Sequence, residues 1–166
     1  MTQVLGLLLA MVLGMAGFGG CTSGEPPPLD PGPPAARIGT LLASWDEGSV
    51  PDLRDNPEFR LGSWLVTTET EMEQLLASEP LGPDRTALAG VDLEESVLVV
   101  GGYHACQERG TVWSDGSSVW FDPLVPPERE GIECAWSPFT VDVFEVPRSY
   151  FGDEPSLVPP PWGDPS

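Results

Sequence analysis

The chain has 166 residues, 26 acids against 7 bases and a formal net charge of −19. That surplus keeps a domain soluble and excludes recognition of nucleic acid or anionic headgroups by charge. Every base is an arginine and no lysine occurs, and acids spread this evenly between turns read as a solvated surface rather than a cation site.

In chain order the first feature is an uncharged apolar stretch, Val4 to Phe18, that runs into Gly19, Gly20 and Cys21. It resembles a bacterial or archaeal lipoprotein signal. The stretch falls short of the roughly 20 apolar residues that a permanent span wants. The two glycines leave room for a peptidase to reach the backbone just before Cys21. The resemblance implies removal of residues 1–20, lipidation of Cys21 and retention at the membrane by acyl chains, each contributing about 0.8 kcal/mol per buried methylene. Two positions depart from the usual pattern: Phe18 stands where leucine is common, and Met1-Thr2-Gln3 carries no basic side chain. Behind Cys21, residues 22–36 are proline-rich and predict an extended, polyproline-like tether of about 3.1 Å per residue.

A single folded domain is expected over residues 37–151, with a proline-rich tail over 152–166 that Trp162 docks back onto it. The segment Ile38–Trp45 is too mixed to assign. Asp46–Pro57 holds Gly48, Pro51, Asp52, Asn56 and Pro57 and reads as a loop. Gly62–Thr67 predicts a strand. Thr68-Glu69-Thr70-Glu71 forms a capping box, and Met72, Leu75 and Leu76 follow at helical spacing, so a helix is predicted over about residues 69–78. Ser96–Val100 is a continuous apolar run that suits a strand covered on both faces, ended or bulged by Gly101-Gly102. Thr111–Ser114, Asp115-Gly116 and Ser117–Phe121 predict a tight hairpin. Pro123–Gly131 is a loop, and Phe139–Val146 a last strand closed by Pro147. The fold class is α+β: a small, mainly antiparallel sheet with one packed helix and a disulfide-braced hairpin.

The chain has three cysteines. With Cys21 taken by lipid, Cys106 and Cys134 remain as a pair, and an exported location predicts that they form a disulfide. His104 with Cys106 and Cys134 is the one conceivable transition-metal cluster, but it lacks a fourth ligand and its thiols are expected to be oxidised, so no metal or cofactor is predicted. No serine sits in a Gly-x-Ser-x-Gly elbow for His104 to serve. Acid pairs that would suit a hydrolase, Glu94-Glu95, Asp153-Glu154 or Asp142 with Glu145, are uninformative in so acidic a chain. Trp113 and Trp120 flank the hairpin turn symmetrically and are expected to pack as a cross-strand pair. If they face outward, they and His104 become a recognition surface.

The capping Thr68-x-x-Glu71, the run Val91-Asp92-Leu93-Glu94-Glu95-Ser96-Val97-Leu98-Val99-Val100, a cysteine-bounded hairpin and the closing Val141–Arg148 together resemble small exported domains of the protease-complex-subunit (PrcB-like) type over residues 62–150. The resemblance implies an α+β accessory domain without catalysis and transfers no catalytic residue. The functional expectation is therefore a lipid-anchored, non-enzymatic binding or envelope-maintenance protein that meets an envelope protein partner and no nucleic acid. A hydrolase of envelope material using Asp and Glu side chains is the alternative.

Overall fold

A computed structural model describes residues 34–78 and 84–161. Cys21, the signal segment, most of the tether and Trp162 lie outside the described residues. The order of elements is β1 (Ala36–Ile38), β2 (Thr40–Asp46), β3 (Gly62–Val66), α1 (Glu69–Ser78), α2 (Asp84–Ala89), β4 (Ser96–His104), β5 (Arg109–Ser114), β6 (Val119–Leu124) and β7 (Phe139–Pro147). All strand pairs are antiparallel, in a four-stranded sheet of order β2-β7-β4-β3 and a three-stranded sheet of order β1-β5-β6. The fold is mixed α+β and mostly β. None of the described helices is long and apolar enough to cross a membrane.

Two cores follow from strand alternation, which sends neighbouring side chains to opposite faces. On one face of the large sheet Leu98, Val100, Val141 and Val143 pack with Met72 and Leu75 of α1 and Leu88 of α2. On the other face Val99, Tyr103, Phe144 and Val146 meet Ile38, Val112, Val119 and Phe121 of the small sheet. β4 is thus covered on both faces, as its unbroken apolar run requires, and Val97 through Val100 are wholly buried. Burying side chains of this kind contributes about 1.5–3 kcal/mol each relative to exposure.

Helix α1 begins at its capping box. The Glu71 carboxylate accepts from the backbone N–H of Thr67 at 2.8 Å and of Thr68 at 3.1 Å, while Thr68 Oγ1 accepts from Glu71 N–H at 3.3 Å. The end of β7 is pinned by Arg148, whose guanidinium donates to the carbonyls of Leu93 and Thr67 at 2.8 and 3.0 Å.

Several details depart from the sequence-based expectations. β4 runs through Gly101 and Gly102 to His104 instead of ending there. A Cβ on Gly101 would collide with the Phe121 ring and one on Gly102 with the Arg60 carbonyl, so both glycines answer close approach and not a turn. The hairpin loop takes four residues, 115–118, because the Asp115 carboxylate gathers the N–H groups of Ser117 and Ser118 at 2.9 and 2.8 Å. Ile38–Trp45 divides into two strands at Gly39, whose φ of +79° turns the chain from the small sheet into the large one. A second helix, α2, follows the first. The tail beyond Gly152 is irregular, yet Leu157 packs on the inter-sheet core.

Cys106 and Cys134 form a disulfide with Cα atoms 5.7 Å apart, within the usual range for a bridge. It ties the turn after β4 to the segment before β7 and encloses the β5–β6 hairpin.

Candidate functional site

The two sheets are joined on one side by the continuous β1–β2 chain, and on the other their edge strands β3 and β6 stay unpaired with each other. A groove of about 720 Å³ opens along this seam. Leu61 and Ser63 contribute from the start of β3, Tyr103 from β4, and Phe121, Leu124 and Val125 from β6 and just beyond it. Its volume falls in the range of small-molecule and peptide pockets, about 300–1,000 Å³. Leu61 and Val125 stand at its rim, 61% and 38% exposed.

Tyr103, at the floor, heads a polar network that runs beneath the groove. Tyr103 donates its hydroxyl to Asp142 Oδ2 at 2.7 Å, and the N–H of Gly110 reaches the same hydroxyl at 2.8 Å and the same carboxylate at 3.1 Å. All of this lies between the sheets, where a Cβ on Gly110 would strike the Asp142 carboxylate. Burial, reinforced by the charge and the hydrogen bond of Asp142, pushes the Tyr103 hydroxyl far above the ordinary tyrosine value. Glu108, also on the groove, accepts from the N–H groups of Cys106 and Gln107 at 2.7 and 3.0 Å. Burial raises its pKa, but these N–H groups together with its own outweigh that and hold the carboxyl below its ordinary value. Asp122 is buried and engaged as well. The groove therefore presents apolar walls and bound acids, an arrangement suited to holding a ligand.

His104 ends β4 on the opposite face from Tyr103. It is exposed, edge-on to Phe139 at 6.1 Å, with Arg54 Nη2 lying 3.3 and 3.4 Å from its two ring nitrogens. Arg54 in turn pairs with Glu47 at 3.5 Å, and Glu47 accepts from the backbone N–H of Phe139. The imidazole is thus met by an arginine instead of a nucleophile or a second carboxylate. Cys106 and Cys134 are bonded to each other, and among the described residues no three His, Cys, Asp or Glu side chains converge as a metal cluster. The acids Asp142 and Glu145 project from opposite faces of β7, since Asp142 faces Tyr103 while Glu145 accepts from Ser96 Oγ at 3.0 Å.

Trp113 and Trp120 face each other in register across the hairpin, as the sequence suggests. They project from the opposite face to Val112, Val119 and Phe121, away from the inter-sheet core, and the Arg37 guanidinium lies 5.3 Å from the Trp113 ring. Trp120 is only 2% exposed, so it offers a partner almost no contact area. The fold brings His104 to the groove and leaves both tryptophans off it. Sequence reading missed Tyr103, Phe121 and Leu61; the one available signal was the glycine pair inside an apolar run, a mark of close approach that singles out the strand beside the groove.

A scan against known protein families and searches of curated proteins and of solved structures find no match for this chain.

Proposed function

We propose that this chain is a lipid-anchored, non-enzymatic binding domain that works outside the cytoplasmic membrane, in an accessory or envelope-maintenance role. The seam groove carries this reading. Its walls are mostly apolar, its rim exposes Leu61 and Val125, and of its polar side chains Tyr103 is spent on Asp142 beneath it and Glu108 on backbone N–H groups. Chemistry needs an acid or base free to exchange a proton with substrate, whereas recognition needs only a preformed, largely apolar concavity. The lipoprotein-like segment ending at Cys21 supplies the address, and the likeness of residues 62–150 to exported accessory domains supplies the class.

Site-specific photocrosslinking in intact cells tests the role. A photoreactive residue at Leu61 or Val125 is expected to capture the same envelope protein, and one at Glu73 on exposed α1 is not. Equal labelling from all three positions, or none from the groove, overturns the binding role. Intact-mass measurement tests the anchor separately: an acylated product beginning at Cys21 is expected, and a chain retaining residues 1–20 without acyl groups refutes it.

A further inference from the structure

One edge of the groove is formed by a piece of this chain's own tail. The tail leaves β7, packs Leu157 against the inter-sheet core, donates the Val158 N–H to the Val119 carbonyl at 3.0 Å, and adds Pro160 to the groove wall. Because alternate residues of a strand direct their backbone groups to the same side, the free side of β6 that carries Val119 also carries Phe121 and Pro123. Pro123 has no N–H, so this edge cannot extend as a regular ladder and gains little from a partner rich in main-chain donors. Residues 159–161 are all proline and bring none. What they bring is apolar rings in an extended backbone, the shape that aromatic-lined grooves accept without a large ordering cost. Tyr103 and Phe121 are the aromatic groups here, with Leu61 and Val125 above them.

We infer that the groove takes an extended, proline-rich, cationic segment of another envelope protein, and that Pro160, held at its edge by the tail, is a partial internal stand-in for it. The inference rests on the binding role proposed above. The cationic character follows from charge: the domain belongs to a chain of net −19, and the Glu108 carboxylate lines the groove. The stand-in has a consequence of its own. A ligand that must displace it binds with an apparent affinity reduced by the fraction of molecules in which the groove is open.

Fluorescence anisotropy with a labelled peptide of Pro-Pro-Arg repeats, against a Gly-Ser-Arg counterpart of equal length and charge, tests the inference on the full domain. The proline peptide is expected to bind and the counterpart not. Leu61→Ser, at an exposed position, should weaken binding about fivefold, the equivalent of losing roughly 1 kcal/mol of apolar contact. Val158→Pro, which removes the N–H that fastens the tail to the Val119 carbonyl of β6, should strengthen it. Equal binding of both peptides would reveal charge attraction alone and overturn the inference. Failure of the proline peptide on both the native protein and Val158→Pro, with crosslinks from Leu61 still present, overturns the ligand class and leaves the binding role standing; failure of both removes both. Concentration-dependent self-association, abolished by Leu61→Ser, would assign the groove to residues 22–36 of a second copy and also overturn it.

Discussion

Tyr103, Asp142 and Gly110 show how a small domain tolerates a carboxylate between two sheets. Asp142 is almost wholly buried, and its Oδ2 receives both the Tyr103 hydroxyl and the Gly110 N–H. Removing one partner of such a network leaves a buried acceptor short of a donor, so Tyr103→Phe is expected to cost about 1–3 kcal/mol in denaturant unfolding. The same residue governs the alkaline limb of stability. Its pKa in the folded state lies above the ordinary value of 10.0, so the protonated hydroxyl is favoured by folding. That contribution is complete below pH 10 and is lost as the pH rises further, because the unfolded chain gives up its proton first. With no lysine in the chain and arginines that stay protonated, few other side chains titrate there. Unfolding midpoints measured between about pH 9 and 12 should fall in the native protein, and Tyr103→Phe should flatten the slope; an unchanged slope would remove Tyr103 as its source. None of this was readable from the residues alone, since Asp142 follows Tyr103 by 39 positions and only β4–β7 pairing brings them together.

Elements differed in how far the sequence disclosed them. Helix α1 was legible because its boundary is set locally: Thr68 and Glu71 are three residues apart and satisfy each other's N–H groups before any tertiary contact forms. Thr68→Ala should therefore cost about 1 kcal/mol, with the loss confined to the start of α1 in hydrogen exchange. The Thr67 N–H above all, against the opposing effect of burial, holds the Glu71 carboxyl below its ordinary 4.5. Its stabilisation is present above that value and disappears as acid takes the pH through the lower folded value. The stability gap between the native protein and Glu71→Ala should accordingly narrow on acidification; a constant gap would show that the carboxylate does not cap. Strand β4 was only half legible. Its apolar run announced burial on both faces, but Gly101-Gly102 looked like an end, because the reason for the glycines sits in Phe121 and Arg60, far away in sequence. Helix α2 gave still less: six residues with one buried anchor, Leu88, show no apolar period.

At the scale of the whole molecule two cores share one sheet, and a single bridge closes the smaller layer. The disulfide encloses the β5–β6 hairpin, and its cysteines are 28 positions apart. On chain entropy a loop of that size contributes roughly 3–4 kcal/mol, a large part of the about 5–15 kcal/mol available to a domain. Replacing Cys106 and Cys134 together by serine should lower the unfolding free energy by that much, with the small sheet losing exchange protection before the large one. The pairing was legible once Cys21 was set aside on the lipoprotein resemblance, which leaves Cys106 and Cys134. The division into two sheets was not, because it turns on Gly39, a single residue inside a segment too mixed to assign.

That arrangement also fixes an order of events in time. β2 and β4, which the chain supplies earlier, both take β7 as their neighbour, and β7 is the last strand. Pairing across such distances in sequence is slow, and during synthesis the chain emerges from its N-terminal end. Until residues 139–147 are available the middle of the large sheet is missing, leaving the β3–β4 pair, joined through both helices, and the β5–β6 hairpin as the pieces that sequence neighbours can complete. The large sheet therefore cannot close until nearly all of the described chain has been supplied, whatever its smaller pieces do before then.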